Sequence, residues 1–216
     1  MKVALIGATG FVGSSILKEL VSRGTEVIAI ARKIEEIDTT SPLVTAVAVD
    51  VMSKESLTDA IKGADVVVSA FNPGWSNPNI YADSLAGLES IQHTVKDAGV
   101  PRFLVIGGAG SLFINGQQLV DGPDFPQEIK PGATAMRDYL NIIKEEKDLQ
   151  WTFFSPAIEM HQGTKTGRTG KYRLGNDSPV FNDEQRSILS VEDLAVVIAD
   201  ELENKAFPNQ RFTAAY

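Results

Sequence analysis

The stretch that most restricts this chain is its start, MKVALIGATGFVGSSILKEL. The apolar run Val3-Ala4-Leu5-Ile6 leads into Gly7, Gly10 and Gly13, and Val12, Ile16, Leu20 and Val21 then recur at helical spacing. A strand that passes through spaced glycines into an amphipathic helix has a specific use. One glycine permits the tight turn, one lets the backbone approach a pyrophosphate, and one lets the helix pack close to the sheet. The start of the helix, at Phe11 and Val12, offers free N–H groups and the positive end of its dipole to an anion. Thr9 adds a hydroxyl donor. These residues predict a dinucleotide cradle built from Gly7, Thr9, Gly10, Phe11, Val12 and Gly13.

The rest of the chain repeats the strand–helix alternation. Strands are expected at 2–6, 25–31, 44–50, 64–70, 102–108 and 151–157. Helices are expected at 11–23, from a Ser53 cap to 62, at 80–98 and at 133–147. "ADVVVSA" (64–70) is apolar on both faces, as a buried parallel strand is. The pattern predicts an α/β fold, a doubly wound parallel sheet of the NAD(P)-binding Rossmann type with strand order 3-2-1-4-5-6. A loop with three prolines precedes the fourth of these helices. "HQGTKTGRTGKYRLGND" (161–177) is glycine-rich and basic and reads as loop or hairpin. In "SVEDLAVVIADELEN" (190–204) Ser190 and Asp193 are spaced as a capping box. The closing "QRFTAAY" reads as a strand. The expected organisation is a single NAD(P)-binding Rossmann domain over 1–216, with 158–216 as a small C-terminal substrate-side cap.

Composition removes several function classes. Lys and Arg number 20 against 28 Asp and Glu, a formal charge of −8, which argues against a nucleic-acid footprint. There is no cysteine, so disulfides, thiolate ligands and thiol nucleophiles are excluded, and two isolated histidines suggest no metal site. No apolar run approaches the roughly 20 residues of a membrane helix, and no signal segment is visible. The expectation is a cytoplasmic protein whose partner is a small-molecule electron acceptor.

The G-x-x-G-x-x-G spacing resembles that of the extended and atypical short-chain dehydrogenase/reductases. "ARK" after the second strand, Asp50 after the third, "VSAFNPG" after the fourth, "GGAGSL" after the fifth and "WTFFSPA" at the sixth all resemble the NmrA-like, NAD(P)H-binding branch. "TGKYRLGND" and "ILSVEDLAVVIADELEN" through "RFTAAY" resemble the small NADH-flavin reductases related to the biliverdin/flavin reductase family. The resemblance implies cofactor contacts at Asp50, Val51, Ser69, Ala70, Phe71 and Gly107. It also puts Pro156 and Ala157 where the family's backbone meets the nicotinamide amide. Asp50 has a plain alternative, terminating a strand. By the same resemblance Ser111 is the candidate catalytic residue that orients substrate, its alternative being a loop serine bonded to nearby backbone.

Two residues decide the cofactor. The second strand ends in Ala31, Arg32 and Lys33, with no carboxylate to accept from a ribose hydroxyl. A guanidinium suits a 2′-phosphate, so Arg32 and Lys33 favour NADP, with NAD as the alternative.

The acid that most such enzymes use is missing. A Tyr-x-x-x-Lys pair needs lysine four residues after tyrosine. Tyr81, Tyr139 and Tyr172 are followed there by Leu85, Ile143 and Asn176, and Tyr216 ends the chain. Aligned on the resemblance, Gly132 and Met136 stand in the places of tyrosine and lysine. Carbonyl–alcohol chemistry and epimerisation or dehydration therefore lose their acid. What is left is hydride delivery to a flavin-like or quinone-like acceptor, FMN or FAD among them, in which holding donor and acceptor together is worth roughly 7–11 kcal/mol. The alternative is an NmrA-like, NADP-binding redox sensor without catalysis. Candidate substrate contacts are Asn72, Trp75, Phe113 and His161, each also readable as ordinary loop structure. Lys165, Arg168, Lys171 and Arg173 form a basic cluster that suits either a flavin phosphate or solvent.

Overall fold

The computed structural model describes residues 1–216. Five parallel strands form the first part of the sheet: β1 (Lys2–Ile6), β2 (Glu26–Ala31), β3 (Val44–Ala48), β4 (Val66–Ser69) and β5 (Arg102–Ile106). A two-residue pair follows, β6 (Phe113–Ile114) with β7 (Gln117–Gln118), and then β8 (Gln150–Ser155), β9 (Arg173–Gly175) and β10 (Gln210–Ala215). The helices are α1 (Phe11–Ser22), α2 (Lys54–Ile61), α3 (Ile80–Asp97), α4 (Lys130–Lys144) and α5 (Val191–Asn204). The main sheet runs β3-β2-β1-β4-β5-β8-β10-β9, parallel except for β9 at the edge. This is the expected doubly wound order, extended by two strands. No helix is long and apolar enough to cross a membrane.

Alternation along the strands feeds two cores. Val3, Leu5, Val66, Val68, Phe154 and Phe212 point to the layer of α1 and α5. Ala4, Ile6, Val67, Phe103, Val105 and Phe153 point to the other layer, against Leu57, Leu88, Ile91, Tyr139 and Ile143. With both faces covered, the strands' carboxyl ends and the loops beyond them are left to bind.

The structure differs from the sequence expectations in five places. Helix α4 begins at Lys130, before the expected 133, because Pro131 has the fixed φ and missing donor that a first helical turn accepts. The 111–132 loop contains the β6–β7 hairpin, whose Asn115 (φ 51°) and Gly116 (φ 81°) form its two-residue turn. Ser53 stands at the N-cap of α2 without a side-chain cap bond. Ser190 Oγ does accept from Asp193 N at 3.1 Å, but the Asp193 carboxylate does not return the bond. It turns instead to the 164–172 loop, taking the amides of Thr169 (2.8 Å) and Gly170 (2.7 Å), the Thr169 hydroxyl (2.6 Å) and the Tyr216 hydroxyl (2.7 Å). Finally, residues read as a cap complete the main body, since β10 pairs in register with β8 and α5 packs beside α1.

Candidate functional site

The cradle lies where β1 passes into α1. Gly7 has φ +81°, and its amide and that of Ala8 both donate to Ile30 O, at 2.9 and 3.2 Å. A Cβ at Gly7 would lie 2.6 Å from Ala70 O, and one at Gly13 would lie 2.0 Å from Gly7 O. Both positions are closed to any side chain, the first by the end of β4 and the second by the glycine turn itself. Gly10 is exposed at the N-cap, where a Cβ would meet only Gly7 O at 3.3 Å. The amides of Phe11, Val12 and Gly13 have no protein acceptor, and Thr9 is exposed beside them. Backbone packed this closely under unbonded amides fits a dinucleotide pyrophosphate.

The strand ends surround this turn. Arg32 and Lys33, just past β2, are exposed and make no ion pair or side-chain hydrogen bond. Every other arginine donates to a protein acceptor: Arg23, Arg102, Arg137, Arg168, Arg173, Arg186 and Arg211. Arg32 is thus the one free guanidinium in the chain. Asp50 is exposed, and its carboxylate accepts from Met52 N at 2.9 Å, closing a turn. The carbonyl of buried Val51 accepts from Ser90 Oγ at 2.7 Å. Ser69 is buried, Ala70 N donates to Ile6 O at 2.9 Å, and the Phe71 ring lies against Gly87 of α3. Gly107 N donates to Phe154 O at 2.8 Å, and a Cβ there would meet the Phe153 ring at 2.1 Å. Pro156 and Ala157 are buried at the end of β8.

Beyond β4, Asn72 accepts from Gly74 N at 2.7 Å, and Trp75 is 60% exposed. A Cβ on Gly132 would lie 2.9 Å from Trp75 Cζ3 and 3.0 Å from Ile80 Cδ1. One turn along α4, Met136 faces Gly108, whose Cβ would sit 3.7 Å from the methionine Cβ. The start of α4 therefore meets the β4 loop at Gly132 and the β5 loop at Met136. His161 is exposed, and its Nδ1 accepts from Gly163 N at 3.0 Å within its own turn.

Ser111, expected as the catalytic residue, lies in closed surroundings. The residue is 1% exposed. Its hydroxyl bonds Gly108 O at 3.2 Å and Ser155 Oγ at 3.1 Å, and Arg211 Nη1 holds its carbonyl at 2.7 Å. Such a serine fixes the turn after β5. Phe113 is half-buried beside it, with the Arg211 guanidinium 5.7 Å from its ring centroid. Arg211 also bonds the exposed Asp177 carboxylate through Nε at 3.0 Å. This buried guanidinium was missed by sequence reasoning. Its only signal is an arginine inside the apolar strand "RFTAA".

The basic cluster divides. Arg168 is paired twice with Glu19 of α1, at 2.8 and 2.9 Å, and holds that carboxyl below its usual range. Arg173 donates to the carbonyls of Phe181 and Tyr216. Neither guanidinium is left for a flavin phosphate.

No tyrosine replaces the missing acid. Tyr81 donates to Asp138 at 2.9 Å, Tyr139 is buried on Gln92 Oε1 at 2.9 Å, Tyr172 donates to Asp200, and Tyr216 donates to Asp193 and Ser190. All four phenols are pushed above their ordinary pKa. For Tyr81 the main cause is its bond to a carboxylate, and for the other three it is burial.

The comparisons agree with this geometry. A family model described as NAD(P)H-binding matches residues 7–205. YwnB of Bacillus subtilis, an uncharacterised protein, is 38% identical over 219 residues, covering 99% of this chain and 97% of that protein. A solved structure described as that of a proposed epimerase from Bacteroides thetaiotaomicron has a TM-score of 0.92 at 44% identity, covering 100% of this chain and 96% of that one. Another, a proposed NADH-flavin reductase from Streptococcus pneumoniae, has a TM-score of 0.86 at 34% identity, covering 100% of this chain and 99% of that one. A glycine turn closed to side chains, free amides above it and a family match over nearly the whole chain lead to one conclusion: the protein belongs to the NAD(P)H-binding family, with the oxidoreductase-type Rossmann fold of the atypical short-chain dehydrogenase/reductases.

Proposed function

We infer that the protein is an NADPH-dependent reductase of flat, flavin-like or quinone-like acceptors. The observation that carries this reading is an intact dinucleotide cradle with no activated proton donor beside it. All four tyrosine hydroxyls are committed elsewhere, and Gly132 and Met136 present no titratable group. When bound, the nicotinamide supplies a hydride, and that hydride with one proton from water completes the two-electron reduction of a flavin or quinone.

The chain's own residues bind and orient. The Phe11, Val12 and Gly13 amides take the pyrophosphate, and Arg32 with Lys33 takes the 2′-phosphate. Pro156 and Ala157 bound the nicotinamide end. Asn72, Trp75 and Phe113 stand on the acceptor side, and His161, tied into its own turn, is peripheral. Ser111 acts as a positioning residue beneath the β5 loop. The reductase description of the Streptococcus protein supports this reading. The epimerase description of the Bacteroides protein transfers less well, because this chain offers no acid–base pair for proton exchange at carbon.

The test is steady-state NADPH oxidation with FMN, FAD and a naphthoquinone as acceptors. Turnover with at least one is expected. Tight NADP(H) binding with no turnover across the panel overturns the reading in favour of a redox-sensing module.

A further inference from the structure

We propose that Trp75 and Gly132 form a built stacking platform for the acceptor, in which the Trp75 indole is the residue that selects a planar, electron-poor fused ring. The assignment rests on the reductase reading and deepens it.

The first observation is where the indole lies. Its loop starts at Ala70, whose carbonyl is the atom on which the cradle glycine Gly7 packs. Five residues on, Trp75 lies beyond the carboxyl end of β4, beside β1, at the crevice where such sheets bind ligands.

The second is how it is held. Gly74 N is bonded to Asn72 Oδ1 at 2.7 Å, and Asn77 N to Gly74 O at 3.1 Å. Asn77 reaches Asp83 of α3 at 2.8 Å. The edge of the indole lies over Gly132, where even one Cβ would come within 2.9 Å of Trp75 Cζ3 and 3.0 Å of Ile80 Cδ1. The largest side chain type is thus fixed at its rim while 60% of its surface stays open. A tryptophan that only packed would bury its faces, as Trp151 does at 4% exposed.

The third is what surrounds it. The side-chain space of Gly132 is shared by the indole edge and the apolar Ile80 side chain, so recognition there is by stacking and shape. An electron-rich indole with a free face favours an offset, electron-poor ring system, such as an isoalloxazine or a naphthoquinone. Gly132 is then a glycine because the platform occupies its side-chain space.

The two tryptophans separate by exposure, which gives a binding readout independent of turnover. FMN titrated into the protein with NADP+ present is expected to quench the exposed, red-edge emission of Trp75 and spare Trp151. Trp75→Ala should raise the KM for FMN about tenfold and leave the KM for NADPH within twofold, and Trp75→Phe should recover most of the loss. Gly132→Ala, by pushing the indole, should shift Trp75 emission and raise the same KM. If wild type reduces FMN but Trp75→Ala leaves its KM unchanged, the platform is refuted and the reductase reading stands. If FMN quenches Trp75 but no acceptor is reduced, the reductase reading falls and the platform stands. Absence of quenching alongside active FMN reduction also refutes the platform.

Discussion

On the proposed function, removing the Arg32 guanidinium should separate the two nicotinamide cofactors. Arg32→Ala takes nothing from the fold, because the side chain is exposed and bonds no protein atom. The urea midpoint should therefore stay at its wild-type value. A hydrogen bond to a charged group is worth about 1.5–3 kcal/mol, and an exposed site in salt lies at the lower end of that range. Lys33 remains next to it as a point charge, without the planar fork of an arginine. About 1.4–2 kcal/mol is lost, so the NADPH dissociation constant should rise roughly 10- to 30-fold at about 0.1 M salt. NADH carries no 2′-phosphate, and its affinity should change less than about twofold. Raising salt toward 1 M shortens the screening length from about 10 Å to about 3 Å. It should therefore erode the wild type's NADPH preference and leave the variant flat. Titration by nicotinamide fluorescence measures all four constants. Unchanged NADPH affinity, or an equal loss for NADH, refutes the phosphate assignment.

Gly13→Ala places a Cβ 2.0 Å from Gly7 O, with backbone on both sides, so destabilisation of about 3 kcal/mol or more is expected in urea unfolding. Gly10→Ala meets only a 3.3 Å contact and should stay folded while losing NADPH affinity, because its methyl enters the open cradle. Ser111→Ala should cost about 1 kcal/mol of stability and less than about tenfold in kcat/KM. A thousandfold loss with unchanged stability would return Ser111 to direct contact with substrate. Glu146 follows the end of α4, and its carboxylate accepts from the Lys147 and Asp148 amides. Burial raises its pKa, but the Asp148 amide, Gln92 and Lys96 outweigh that and hold it at about 2, against an ordinary 4.5. Its contribution, about 2–3 kcal/mol, is complete above about pH 4.5 and is lost as pH falls toward 2. Glu146→Gln should therefore flatten the acid limb of a stability–pH curve, and an unchanged limb would refute that assignment.

What the sequence revealed and what it hid divide by the range of the interactions. The sheet order, α1 and the glycine turn were legible because strand alternation, helix period and a closed turn are each set by residues within a few positions of one another. The β6–β7 hairpin was equally local, and Asn115-Gly116 was its available signal, obscured by prolines nearby. Pro131 belongs to the first turn of α4 rather than to the loop expected before residue 133, because a proline suits a loop and a first helical turn equally.

The chemistry around Ser111 was of another kind. Its hydroxyl depends on Ser155, 44 residues away, and its carbonyl on Arg211, 100 residues away. No spacing rule brings those three together. Only closure of the sheet, with β10 laid against β8, carries the guanidinium under the β5 loop. The same holds for the tyrosines. Sequence showed that none has a lysine partner, but a lone phenol could still have been an acid. The bond to Asp138 raises Tyr81, and burial first of all raises Tyr139, Tyr172 and Tyr216, which follows from the folded state alone. The absence that the sequence placed at Gly132 becomes a property of the whole chain. On the proposed function, with no phenol assigned as acid beside the cradle, selectivity is expected to lie in the shape of the wall at Trp75 rather than in a titrating group.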